Sequence, residues 1–453
     1  NGELMVDLRE KIDSTKMGSY QWLIIAICTL LNALDGYDVL AISFASNQIT
    51  DEFQLSGLAL GLLMSSALVG MAIGALFLGP VADRIGRRKM TIIAVVMNIA
   101  GLFLSATAAS AFQLGIWRVL TGLGIGGILV GTNVISAEFA SRKRRGLAIG
   151  IYAAGYGIGA SLGGTAMVGL INAFGWRSVF LAGGIVTAVA LVIVVFLLPE
   201  SPSFLYSRRP AGAQQRIDMI VERLGYGEKY DLDAVPQPTA AESKTSIWDL
   251  FSRENRRVTF VIWTAFFVIM FAFYFVNSWT PRLMTATGLS ETLSMFVTVA
   301  LTLGGAIGSV SFGLFTARWS TRTVLTGFTV LASILMIIFI FTTQILVLVL
   351  LLGLLVGVFI NGCIAGLYVL TPQSYSAALR STGAGWAIGI GRIGAIIAPT
   401  ATGALQDNGW SPEAIYVLVG VIILLATAVL FGMRGANVEA NQRPQRVSAD
   451  ASN

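Results

Sequence analysis

A run of roughly 20 predominantly apolar residues, long enough as a helix to cross about 30 Å of hydrocarbon, recurs about twelve times along this chain. Inside a bilayer every backbone polar group must be satisfied within the protein, so runs of this length are expected to be helices. They fall near 20–44, 58–80, 89–108, 112–137, 146–169, 177–198, 258–281, 292–316, 323–342, 345–370, 381–404 and 414–432. With 55% hydrophobic and only 12% charged residues, the chain is too apolar for an ordinary soluble globule. The fold class is an all-α membrane protein with twelve transmembrane helices.

Loop charge sets the expected orientation. Arg84, Arg87, Arg88 and Lys89 lie between spans two and three, and Arg142, Lys143, Arg144 and Arg145 between spans four and five. The opposite loops carry mostly acids, as in "NQITDEFQLSG" and "QDNGWSPE", with Arg177 and Arg282 as exceptions. The basic loops and both termini are therefore expected in the cytoplasm. The net charge of +6 is a matter of topology and gives no reason to expect a nucleic-acid partner. The polar start has no apolar core ahead of a cleavage site, so no removable signal peptide is expected. Cys28 and Cys363 fall in apolar runs without metal or redox spacing and read as small buried hydrophobes. No metal or cofactor is expected. The chain has no His, so a proton carried near neutral pH must ride on Asp or Glu.

The one long polar interruption, 199–257, divides the spans six and six, and a short amphipathic helix is expected around "AQQRIDMIVERLG". Five segments follow: a cytoplasmic tail at 1–19, a six-helix bundle at 20–198, the cytoplasmic linker at 199–257, a second bundle at 258–432 and a cytoplasmic tail at 433–453. The halves repeat weakly. "GPVADRIGRR" at 79–88 aligns with "GLFTARWSTR" at 313–322, and "GIGG" after Gly122 aligns with "FING" after Gly357, at offsets of 234 and 235 residues. "EFASRKRR" at 138–145 likewise matches "QSYSAALR" at 373–380. Matches at one offset indicate duplication, hence two pseudo-symmetric bundles with a site at their interface.

Two features bear charge where lipid would penalise it. "NALDGYDVLAIS" places Asp35 and Asp38 three apart, on one helix face, within an apolar run. Gly36 between them leaves that face accessible to backbone or solute. Two carboxylates so close repel, so at least one is expected to hold a proton at neutral pH. Arg392 lies eleven residues into its run, roughly 16 Å along the helix, where snorkelling is hardest. It needs an anion, either a substrate carboxylate or, in its absence, an internal Asp. Arg118, Gly122 and Gly126 follow at i, i+4 steps, a glycine face for close packing beside a buried or snorkelling cation.

"GPVADRIGRRK" at 79–89 resembles the loop signature of the major facilitator superfamily. "DGYD", "AEFASRKRRG", "PESP" and "GRIGAIIAP" in this order and spacing resemble its aromatic acid:proton symporter family, over about 430 residues. "GYGIGASLGG" departs from the drug-antiporter signature by Ala160 in place of Pro, which disfavours efflux.

The resemblance implies a non-enzymatic, proton-coupled uptake of a benzoate- or hydroxybenzoate-like carboxylate by alternating access. Neighbouring readings are symport of muconate, a quinate- or shikimate-like acid or a sugar. Asp35 and Asp38 are expected to couple protons. Arg392, Tyr37, Arg118, Tyr152, Tyr156, Asn277, Trp279, Asn361 and Trp386 are expected around the substrate. Asp83, Arg84, Gly86, Arg87, Arg88, Glu138 and Arg145 are expected to gate, latching the two halves in one state. The expected partners are an aromatic acid, protons and the lipid of a bacterial inner membrane, with the chain acting as a monomer.

Overall fold

The computed structural model describes residues 8–227, 230, 247–376 and 379–431; the whole expected 433–453 tail, the start of the N-terminal tail and part of the linker lie outside these. Each expected span is a helix, and among the described residues twelve helices are long and apolar enough to cross a membrane. After a short α1 (Leu8–Ser14), the first six are α2 (Ser19–Phe53), α3 (Gly57–Ile85), α4 (Arg87–Ala106), α5 (Ala111–Phe139), α6 (Arg145–Phe174) and α7 (Arg177–Leu197). Two short helices follow, α8 (Pro202–Arg208) and the amphipathic α9 (Ala213–Leu224). The second set is α10 (Arg256–Ala286), α11 (Glu291–Thr316), α12 (Thr321–Ile340), α13 (Leu346–Ser374), α14 (Arg380–Asp407) and α15 (Pro412–Phe431).

Several helices outrun their apolar runs because nothing in the flanking sequence stops them. α2 continues through "SNQITDEF" to Gln54, whose left-handed conformation ends it. Ser56, Ser110, Ser290 and Ser320 cap the starts of α3, α5, α11 and α12, each side chain accepting from a first-turn amide. The α3–α4 turn pivots on Gly86 at φ 106°, where a side chain would also collide with Glu200.

Within each half, helices pack backbone to backbone through glycines. A Cβ at Gly70, Gly74 or Gly122 would strike the carbonyls of Val119, Leu123 and Ala67, joining α3 to α5. Gly304, Gly308 and Gly357 meet Leu354, Val358 and Leu301 in the same way between α11 and α13. These are the same contacts displaced by 234 or 235 residues, the duplication expressed in three dimensions.

The halves meet through α3 with α14, α6 with α11 and α2 with α10. The bonds that join them cluster toward the face without the basic loops. Asp407 of α14 accepts from the amides of Gly57 and Leu58 at the start of α3 (2.6 and 2.7 Å), and Ser65 Oγ donates to Ile396 O (2.7 Å). Ser43 Oγ donates to Ser278 O (2.7 Å), and Asn172 donates to Thr292 (3.2 Å). Toward the basic face, Gly150, Gly313, Gly385 and Gly389 adjoin open space. The halves are thus sealed on one face and diverge toward the other.

Candidate functional site

The charged centre forms where α2, α5, α10 and α14 converge. Asp38 and Arg118 are both buried and form a bidentate pair, with Nη1 to Oδ1 at 2.6 Å and Nη2 to Oδ2 at 2.8 Å. The guanidinium also lies over the Phe180 ring, 5.6 Å from its centroid. Fork-to-fork geometry with both charges out of water makes a fixed pair. Arg118, expected beside the substrate, is thus committed to Asp38. The two aspartates are not equivalent acids.

Asp35 is buried as well, and its Oδ1 has no hydrogen-bond partner. The charges acting on it are Arg392 and Asp38. Gly36 does not leave this face open to solute, because α6 fills the space: the Tyr156 carbonyl sits where a Cβ would go. Close approach of α6 at Gly159 against Ala33 and at Gly155 against Thr29 closes the same seam.

Arg392 stands near the middle of α14 and is half-buried. The expected internal Asp is not in contact with it. Its Nη1 lies 2.8 Å from Met71 Sδ and 3.4 Å from the Tyr274 hydroxyl, and it has no ion pair among the described residues. A guanidinium against a thioether and a phenol has its charge uncompensated by contact. Asp35 is the acid whose charge acts on it.

Beside this centre lies a cavity of about 30 Å³ between α6, α10, α11 and α13. Tyr156, Phe273, Asn277, Thr302, Ser309 and Asn361 line it. The Tyr156 and Phe273 rings meet across the halves with centroids 5.7 Å apart. The Tyr156 hydroxyl and Asn277 Oδ1 are buried without a partner. Gly157 faces Ala306 and Gly305 faces Asn361, so small residues let α6 and α11 approach here. A volume of this size holds about one water, whereas a benzene ring needs roughly 150 Å³. Entry of an aromatic ring therefore requires Tyr156 and Phe273 to part.

Of the expected substrate contacts, Tyr156, Asn277 and Asn361 come together at the cavity; Arg392 does not line it but bonds Tyr274, whose ring packs on the lining Phe273. Four others do not come there. Tyr37 inserts between Gly163 and Gly183 and donates to Val179 O (2.6 Å), bracing α2 against α6 and α7. Tyr152 bonds Thr132 (3.1 Å) within the first half. Trp279 is fully buried and donates to Pro399 O (3.0 Å), pinning α10 to α14. Trp386 is 46% exposed and stacks on Trp263. Phe273, Thr302 and Ser309 were not anticipated, since short polar and aromatic side chains on apolar helices give no sequence signal until the register of packing is known.

The expected gate is present as a network but does not bridge the halves. Arg87 pairs with Asp83 (2.9 Å) and Glu138 (3.5 Å), and Glu138 accepts from Ser201 Oγ (2.5 Å). Arg88 N donates to Glu200 (3.0 Å), and Arg208 Nε to Asp83 O (3.2 Å). Arg145 pairs with Asp13 of α1 (2.6 Å) and not with the Asp83 cluster, while Arg84 is exposed. All these partners belong to the first half or to α1 and α8, which fits divergence of the halves at this face. Among the described residues, no bond of this cluster crosses to the second half.

Comparison with known proteins follows the same lines. The model of the Major Facilitator Superfamily matches residues 25–296 and again 262–450. The chain is 31% identical over 442 residues to a gallate transporter of Pseudomonas putida, covering 96% of each chain. It is 30% identical to the 4-hydroxybenzoate transporter PcaK of Acinetobacter baylyi, covering 94% of each. In three dimensions it resembles the xylose transporter XylE of E. coli in a partially occluded inward open conformation, with a TM-score of 0.72 at 19% identity, over 92% of this chain and 100% of the other.

Proposed function

We propose that this chain, which belongs to the Major Facilitator Superfamily, takes up an aromatic carboxylate with protons by alternating access. The observation that carries the reading is Arg392, a mid-helix guanidinium with no ion pair among the described residues, bonded to Tyr274, whose ring packs on the Phe273 that lines a polar cavity at the interface of the halves. A substrate carboxylate meets its fork bidentately, with the Tyr274 hydroxyl alongside. The unpartnered Tyr156 hydroxyl and Asn277 Oδ1, with Asn361, Thr302 and Ser309, favour a ring bearing hydroxyl groups over plain benzoate. Relatives named for gallate and 4-hydroxybenzoate support this, both being hydroxylated aromatic acids.

Coupling follows from the count of charges. Asp38 and Arg118 neutralise each other and leave Asp35 and Arg392 as the working pair. Arg392 compensates one anion well, so it binds a carboxylate best when Asp35 is protonated. Release of the substrate toward the basic face returns the guanidinium's field to Asp35 and expels the proton. One proton with a monoanion is electroneutral; a second would add about 2.3 kcal/mol per 100 mV. The cycle runs in the inner membrane of a bacterium, with a monomer as the working unit and the basic loops and both termini in the cytoplasm.

The test is uptake of labelled 4-hydroxybenzoate into proteoliposomes under a pH gradient. Arg392→Ala is expected to abolish uptake, and Arg392→Lys to weaken binding because the charge remains but the fork is lost. Transport by Arg392→Ala with unchanged affinity would remove the carboxylate role.

A further inference from the structure

A second and larger cavity, about 240 Å³, lies at the basic face on the outside of the first half. The start of α4 supplies Arg88 and Lys89 to its wall, the end of α7 supplies Phe196 and the connection after it Glu200, and α9 supplies Arg216 and Arg223. Four cations face one carboxylate. That carboxylate is already engaged, since Glu200 accepts from the amides of Arg88 and Ser201 (3.0 Å each). Arg88 Nη2 donates to Val195 O (2.5 Å), while its Nε is buried without a partner. Arg223 rests on the Tyr20 ring and hydroxyl, and none of the four cations has an ion pair among the described residues.

The pocket is built by the fold. α9 seats Ala213, Ile217, Ile220 and Val221 against the bundle, which turns Arg216 and Arg223 toward the ends of α4 and α7. Its outer rim is apolar: Phe196 is 73% and Met219 51% exposed. From that rim the exposed Ile93 and Val96 of α4 and Val189 and Val192 of α7 continue along the helices into the membrane-spanning zone.

We infer that this pocket binds the phosphate headgroup of an anionic phospholipid, with the acyl chains lying along the exposed α4–α7 surface. The basic lining selects a phosphodiester, and the adjoining apolar strip selects a phosphate that carries acyl chains over a free one. A lipid held here would tie the linker helix α9 to the first half, separately from the transport site.

The experiment is thermal unfolding of the full chain purified in uncharged detergent, titrated in parallel with phosphatidylglycerol, phosphatidylcholine and glycerol phosphate. Phosphatidylglycerol is expected to raise the melting temperature saturably, and the other two to leave it nearly unchanged. An Arg216→Gln/Arg223→Gln variant should need roughly tenfold more phosphatidylglycerol for half its effect. An Arg142→Gln/Lys143→Gln control, which removes equal charge from the exposed α5–α6 loop, should titrate as the parent does. Equal stabilisation by phosphatidylcholine, an equal effect of glycerol phosphate, or the same weakening in both double variants would each overturn the assignment. Should the α9 variant fold poorly, phosphatidylglycerol retained through purification, counted by native mass spectrometry, replaces the melt: one lipid fewer than in the parent supports the site, and an equal number refutes it.

Discussion

Asp35 and Asp38 share a helix face and a burial class, yet Arg118 reaches only Asp38. The difference assigns them different work. Removing one member of a buried bidentate pair strands the other charge, so Asp38→Asn or Arg118→Gln alone should each cost about 3–5 kcal/mol of stability. The double variant should recover much of that loss, and thermal unfolding of the three proteins in detergent measures it. Asp35→Asn has no ion pair to break, so it should melt close to the parent. It should keep exchange of labelled substrate for unlabelled while losing accumulation against a gradient, which parallel counterflow and pH-driven uptake assays separate. At this scale the sequence showed that charges were buried but not how they would pair. Arg118 and Arg392 are both arginines within apolar helices, and only the packing of α5 beside α2 shows which one is neutralised.

The elements carry the conformational balance. On the sealed face, the Asp407 carboxylate sits on the first two amides of α3, where unpaired N–H groups and the helix dipole favour an anion. Asp407 is exposed, so solvent screens these bonds and they contribute at most about 1 kcal/mol. Asp407→Asn should therefore shift the population a few-fold, about fivefold at most, toward opening of that face. Spin labels at Gln54 and Asn408, both exposed, would report the change as a longer distance, and Cys28 and Cys363 are buried and would not compete for label. An unchanged distance distribution would show that the contact does not hold the gate. On the other face, the Asp83, Arg87 and Glu138 network stays within the first half. The motif was legible because its spacing is dense, whereas the Asp407 clamp was not: a lone acid at a loop edge acquires meaning only when α14 meets α3. Helix positions were legible from hydropathy alone, since length and apolarity decide them. The polar extension of α2 to Phe53 was not, because a helix continues into water until a residue such as Gln54 ends it.

Across the whole molecule, the duplication visible as three short alignments recurs as matched glycine contacts in α3 with α5 and α11 with α13. Twofold similarity of scaffold coexists with asymmetry of charge: the first half holds Asp35 and the fixed pair, and the second holds Arg392. In the proposed cycle, a proton carrier and an anion site on opposite halves would let a rocking motion change their separation, and with it the cost of charging both at once. Tyr156 and Phe273 meet across the halves at the small cavity, so a loaded state should hold these rings apart. Adding substrate should accordingly change the reactivity of a cysteine placed at Ser309 toward a small thiol reagent, and no change would argue against this cavity as the path. The most direct test of the account is the pH outside right-side-out vesicles when 4-hydroxybenzoate is added, parent beside Asp35→Asn. The account predicts alkalinisation by the parent and none by the variant, with substrate exchange retained in both; equal alkalinisation by the two would contradict it.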